Sequence, residues 1–330
     1  MVFFWVAVLG LSILLYVLLD GSDLGVGILF GATTRADHRD AMMASVAPVW
    51  DGNETWLIVA GVILWGAFPS VYAALLSAFY LPIILMLAGL ILRGIAFEFR
   101  GEARQNRWVW DAGFCGGSLV AAFMQGLMVG TLVAGLPIHD GVYAGGDLIW
   151  LRPFSLLCGA GLCLGYTLLG ACWLVRKCDG EVQAIAYRVM PAAAIALAIV
   201  LVWILLYTLT HNVQVVRRWL ERPLLFIFPP VAVGAAMLLA RGILGRPHHT
   251  RLAGYAITAT FMAAFATYAF TFWPYLIPFS VTIIQAAAPR SSLSFMFWGE
   301  GLFILPLMFG YSFLNYRVFR GKTATGPGYH

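Results

Sequence analysis

Charge is what this chain has least of. Asp, Glu, Lys and Arg make up 11% of its 330 residues, under half the share usual for a soluble domain. With 62% hydrophobic residues and a mean hydropathy of +0.87, it cannot clothe a core in polar side chains and must be a polytopic membrane protein. The alternating pattern of a β-barrel is absent. So are a phosphate-binding loop, a dinucleotide fingerprint and a zinc motif. Cys115, Cys158, Cys163, Cys172 and Cys178 show no paired metal-ligand spacing, and four of them lie in apolar runs as small packing residues. His38, His139, His211, His248, His249 and His330 fall in loops or at the ends of apolar runs. A haem held by two inward-facing helix histidines is therefore not expected, and no metal is assigned to this chain. The net charge of +5 comes from dispersed basic residues and not from a stripe, which argues against nucleic acid as a partner.

What is present is long apolar segments. Crossing about 30 Å of hydrocarbon takes around 20 helical residues, and backbone groups in lipid must be satisfied within the segment. Nine segments meet that need: 2–31, 48–68, 71–97, 112–136, 154–175, 184–210, 223–240, 253–272 and 295–316. The reading is one integral membrane domain over residues 1–330, all-α, embedded in the bilayer. The first segment has no small-residue cleavage site and is read as a retained helix. With the N-terminus outside and the C-terminus cytoplasmic, fourteen of the twenty basic residues lie inside, as the positive-inside rule asks. Arg217, Arg218 and Arg222 break that bias and are assigned to an amphipathic stretch at the outer surface. Pro274 and Pro278 end the eighth helix near Phe272 and make 273–290 an irregular outer segment. Glycines four apart (Gly21 and Gly25, Gly27 and Gly31, Gly126 and Gly130, Gly161 and Gly165) allow close helix approach, either within the chain or onto a partner.

Ionisable groups inside a membrane are expensive and mark function. Running inward from outside, the first helix brings Asp20 and Asp23 toward the cytoplasmic half. The second begins there with Trp50, Asp51, Gly52, Asn53, Glu54, Thr55 and Trp56, and the third delivers Arg93 and then Glu98 to the same depth. Asp51 near a helix start gains from the dipole, and Arg93 can neutralise a carboxylate. Several acids nevertheless exceed what one arginine offsets, and surplus carboxylates with water access suit proton uptake. Trp50 and Trp56 read either as membrane-interface anchors or as indoles packed on a partner or cofactor edge. Proton-coupled secondary transporters also use intramembrane acids with an arginine, but they should show paired broken helices in related halves, and only the Pro274 region looks broken.

The runs Asp20 to Gly27, Ala47-Pro48-Val49-Trp50-Asp51-Gly52-Asn53-Glu54-Thr55-Trp56 and Phe68-Pro69-Ser70-Val71-Tyr72 resemble subunit II of the cytochrome bd-type quinol oxidases. The match is densest over residues 16–107, and the short loops resemble the cyanide-insensitive branch. The resemblance implies nine helices arranged as two four-helix bundles plus one peripheral helix. It implies a bacterial inner-membrane complex that oxidises ubiquinol or menaquinol and reduces dioxygen to water. The partner, subunit I, would ligate two b haems and a d-type (or substituted b-type) haem, and a small single-helix subunit can accompany them. This chain would ligate none, though a structural quinone can be held here. Carried over residue by residue, Trp50 and Asp51 are the family's tryptophan and aspartate pair, and Asp23 is the acid of the first helix. The family's cytoplasmic proton route would use Asp51 first, with Asp23, Glu54 and Asp20 in support and Arg93 and Glu98 balancing charge. Trp50, Trp56 and Asn53 would support the interface and the haem-bearing partner.

Overall fold

The computed structural model describes residues 1–103, 105–227 and 250–323. Most of the seventh expected segment, 223–240, lies outside these residues, as do Arg104, Arg241, Arg246, His248, His249 and His330. The described chain is a bundle of long helices: α1 (Val2–Leu29), α2 (Ala36–Val46), α3 (Trp50–Ala67), α4 (Pro69–Ala78), α5 (Tyr80–Glu102), α6 (Arg107–Ala134), α7 (Pro153–Lys177), α8 (Gly180–His211), α9 (Val213–Glu221), α10 (Thr250–Phe272), α11 (Ile283–Ala286), α12 (Arg290–Met296) and α13 (Ile304–Val318). Two short hairpins, β1 (Ile138–His139) with β2 (Val142–Tyr143) and β3 (Tyr275–Ile277) with β4 (Val281–Thr282), cap one end of the bundle. That end is called the hairpin face. The opposite end, which carries α2, is the α2 face.

Seven described stretches are long and apolar enough to cross a membrane, and an eighth counts if α3 and α4 form one bent span. One expected boundary is corrected. The third segment does not run unbroken from residue 71, because Pro69–Ala78 is a separate short helix bent 118° from α3. The cause is local. Phe68 precedes a proline, which disfavours helical backbone there, and it adopts φ −136°, ψ 58°. The membrane helix begins only at Tyr80. In the last span a π-helical turn at Phe297–Gly301, which carries Glu300, separates α12 from α13.

Two helices organise the rest. Along α1, Trp5, Leu9, Ser12, Tyr16, Asp20 and Asp23 are buried at steps of three and four, one helical face. From Gly21 to Gly27 nearly every position is enclosed. The second half of α7 is buried all round, as a helix at the centre of a bundle must be. α1 packs on α3, α6 and α7, while α7 also meets α8 and α10. The glycine pairs serve this internal packing. A Cβ on Gly25 would stand 1.8 Å from the Tyr166 carbonyl oxygen, and one on Gly126 2.6 Å from that of Cys158. These are backbone-to-backbone approaches that no larger residue permits.

Residues 217–222 do lie on or beside an amphipathic helix, at the hairpin face. α9 buries Val215 and Trp219, while Arg218 donates to the Trp273 carbonyl at 2.7 Å and Arg222 to that of Phe270 at 3.2 Å. Both arginines satisfy the carbonyl end of α10, where cations are favoured. Segment 273–290 is irregular and held by protein, with Ile277, Val281, Ile283 and Ala286 buried and the Ala288 amide donating to Ala67 at the end of α3. At the α2 face the chain's last described residues fold back over the α7–α8 turn. Lys177 donates to the Phe319 and Gly321 carbonyls, and the Thr323 amide to Lys177.

Gly25→Ala should therefore separate α1 from α7 and destabilise the protein by about 2–3 kcal/mol. Gly61→Ala, with nothing within 4 Å of the added carbon, should be silent in the same thermal unfolding assay in detergent. Cys178, in the turn after α7, has its thiol pushed by burial up to about 11. It stays a neutral thiol below that pH, so a water-soluble maleimide at pH 8 should leave it unlabelled until the protein is denatured.

Candidate functional site: a buried ion cluster among three helices

The site grows from Arg93. α5 places it with its side chain fully enclosed, and its fork is divided: one nitrogen donates to Asp20 of α1 at 2.7 Å, the other to Glu54 of α3 at 2.8 Å. Asp20 is wholly buried, while Glu54 keeps 26% of its side chain exposed. One turn on from Asp20, Asp23 takes a different partner. The Asn53 amide of α3 donates to it at 2.8 Å, and Asn53 in turn accepts from the Tyr316 hydroxyl of α13 at 3.1 Å. Its other oxygen, Asp23 Oδ1, has no hydrogen-bond partner within the described chain, nor have Asp20 Oδ2 and Arg93 Nε.

Three acids thus surround one cation, and all lie where ionised groups are costly without a partner. Asp23 is the acid with no cation of its own. The cluster continues away from α3 through uncharged groups. Tyr166 of α7 donates to the Gln125 carbonyl oxygen at 2.9 Å, and the Gln125 amide donates to Tyr16 of α1 at 2.7 Å. Tyr16 stands one turn before Asp20. Six helices, α1, α3, α5, α6, α7 and α13, therefore meet in this polar cluster inside an apolar bundle.

The structure divides the residues singled out from sequence. Asp20, Asp23, Asn53, Glu54 and Arg93 come together. Asp51, one turn before Glu54, is exposed on the surface of the chain, and Glu98 is exposed with no ion pair among the described residues. Charge balance for Arg93 comes from Asp20 and Glu54, not from Glu98. Trp50 stacks on Phe97 at 4.9 Å and 8°, with the Arg93 guanidinium 6.0 Å from its ring. Trp56 is buried against α13, its indole donating to Ser312 at 3.3 Å and its ring 4.9 Å from Phe309. Both indoles thus brace the cluster from within the chain.

Sequence reasoning missed a second ionic network nearer the α2 face. Asp111 of α6 accepts from Arg39 at 2.6 Å and from Arg100 at 2.5 Å, and Arg100 also pairs with Asp40. Phe30 lies between the two guanidiniums, 5.1 and 5.3 Å from its ring centre. In the sequence, Arg39 and Arg100 count only toward the positive-inside bias. Tyr16 and Tyr316 also went unremarked, although Tyr16 sits four residues before Asp20 on the buried face. Among the described residues no three His, Cys, Asp or Glu side chains are grouped to hold a metal.

A profile for cytochrome bd terminal oxidase subunit II matches residues 1–319. The chain is 30% identical over 361 aligned positions to the cytochrome bd-I ubiquinol oxidase subunit 2 of Escherichia coli K12, covering 97% of this chain and 94% of that one. It is 31% identical over 311 positions to a probable cytochrome oxidase subunit 2 of Haemophilus influenzae, covering 84% and 82%. In fold it matches a chain of the bd oxidase from Geobacillus thermodenitrificans with a TM-score of 0.77, at 16% identity, over 96% of this chain and 98% of that one.

Removing the cation strands the acids it serves. Arg93→Leu should cost about 3–5 kcal/mol and abolish recovery of folded protein from detergent extracts. Adding Asp20→Asn and Glu54→Gln in the same chain should restore most of that recovery, as size-exclusion chromatography of the variants will show.

Proposed function

This chain belongs to the cytochrome bd terminal oxidase subunit II family, and from that premise we propose that its α1 and α3 acids take up protons for the oxygen-reducing centre of a partner subunit. The chain is a subunit of a quinol oxidase, an oxidoreductase complex. A transporter reading finds no support in its relatives. The haems, held by subunit I, supply electron transfer and oxygen reduction when bound, and this chain's part is to admit protons and fix the partner's position.

The observation that carries this reading is the gradient of exposure along α3 into α1. Asp51 is exposed, Glu54 is part-buried, and Asp23 and Asp20 are enclosed. A proton accepted at Asp51 has a nearby carboxylate at Glu54, one turn deeper, and beyond it the two acids of α1. Arg93 keeps part of the cluster's negative charge compensated. Asp23, which has an amide for a partner where Asp20 has a guanidinium, is the member best suited to gain and lose a proton without breaking an ion pair.

The basic residues favour placing the α2 face, with Asp51 near it, in the cytoplasm and the N-terminus in the periplasm of a bacterial inner membrane. Outer faces of α3 and α5, with Ile58, Trp65, Ile84, Leu87, Ile91 and Leu92 exposed, are apolar enough to meet subunit I or lipid. The first three membrane helices would then carry much of the contact. Ubiquinol or menaquinol and dioxygen are the substrates of the complex, and a structural quinone or a small third subunit would be additional to this proton role.

Asp51→Asn and Asp23→Asn should each lower quinol oxidase turnover by about tenfold or more, the scale on which a lost proton-transfer group acts. The reduced-minus-oxidised haem spectrum of the purified complex should persist. Full turnover with full haem content would refute the role, and loss of the haems would mark these residues as structural.

A further inference from the structure

At the α2 face, the α1–α2 connection and the first three turns of α8 frame an open cleft of about 620 Å³. Thr33, Arg35 and His38 form one wall, and Glu181, Ile185 and Arg188 the other. The first wall is rigid: His38 and Thr33 are nearly buried and hydrogen-bonded to each other at 3.2 Å. Glu181 Oε2 receives both Arg35 at 2.5 Å and His38 Nε2 at 2.9 Å, and no contact engages its other oxygen. Arg188 has no ion pair or hydrogen bond among the described residues.

Residues 181, 185 and 188 share one face of α8. That face continues deeper into the membrane as Ile195, Ile199 and Val202, all exposed. From the aqueous edge inward it presents a carboxylate, then a guanidinium with no partner among the described residues about 10 Å deeper along the helix, then apolar side chains. A phospholipid with a primary amine offers the matching order: ammonium, phosphate, acyl chains. The formal charges also match. Arg35 and Arg188 are offset by Glu181 and by Asp37, which Arg35 also grips at 2.6 Å. A net-neutral wall suits a zwitterion better than an anion, which would face the Glu181 carboxylate without a compensating cation.

We infer that this cleft holds the headgroup of an amine-bearing zwitterionic phospholipid, its phosphate on Arg188, its ammonium on Glu181 and its chains along α8. A quaternary ammonium has no N–H to give a carboxylate, so the site discriminates phosphatidylethanolamine from phosphatidylcholine.

The test uses the purified oxidase complex in vesicles of phosphatidylethanolamine and phosphatidylglycerol, doped with a phosphatidylethanolamine whose acyl chain carries a photoactivated diazirine. Peptide mapping should place label on α8 between Ile185 and Ile199. Added unlabelled phosphatidylethanolamine should displace it, whereas phosphatidylcholine, phosphatidylglycerol and inorganic phosphate should not. Arg188→Gln and Glu181→Gln should each reduce this labelling about tenfold, as expected for one charge-assisted hydrogen bond, with the thermal stability of the complex unchanged. Equal displacement by phosphatidylcholine would show that the amine is not read. Displacement by phosphatidylglycerol would indicate an anionic lipid site, and displacement by phosphate a free anion site. Any of these, absence of label, or label indifferent to both substitutions would overturn the inference.

Discussion

One guanidinium inside the bilayer sets the terms for the rest of this molecule. Arg93 is enclosed and must be matched by acids, and those acids come from two other helices, Asp20 on α1 and Glu54 on α3. Satisfying it fixes the rotation of three spans about their axes and their relative heights. Everything close to it follows that register: Asn53 reaches Asp23, Trp50 lies flat on Phe97, and the Gln125 amide meets Tyr16. Dispersion and glycine contacts bring helices together, but they tolerate sliding. A buried charge with two fixed partners does not. The cluster is therefore a specificity device for the bundle, and the proton uptake proposed for it need not compete with that role.

Arg93 does not neutralise everything near it. Asp23 lies within the same enclosure and has only an amide donor. A purely structural cluster gains nothing from such an acid, since an asparagine or leucine there would avoid the cost of a buried carboxyl. Under the proton role proposed above, an acid held at a fixed depth by an amide, without a cation, is the member that can exchange a proton without breaking an ion pair.

Much of this was legible in the sequence because membrane helices leave plain traces. Long apolar runs marked the spans that the structure describes, and acids interrupting them marked the level of the cluster. Spacing could not say who pairs with whom. Asp20 and Asp23, three residues apart, share a face of α1 yet serve α5 and α3 respectively, and Asp51 and Glu54 likewise part company, one exposed and one on Arg93. Those choices depend on helix heights that no single helix encodes. The α3–α4 bend had a local signal in Phe68-Pro69, overlooked because the apolar run continues through it. The Arg39–Asp111–Arg100 network was hidden for another reason: its members are 72 and 11 residues apart and look like ordinary loop charges.

The ion pair at the centre also imposes an order on biogenesis. Asp20 emerges from the ribosome 73 residues before Arg93, and at about 5–20 residues per second that is an interval of several seconds. During it, α1 carries two carboxyl groups without the cation that a neighbouring span will supply, because the basic residues made in between, Arg35 and Arg39, lie outside the spanning helices. Holding the nascent helix at the insertion machinery, where water and a lateral exit are at hand, until α5 arrives with its cation would spare α1 the cost of unpaired acids in lipid, and would make release of the first three spans a joint event.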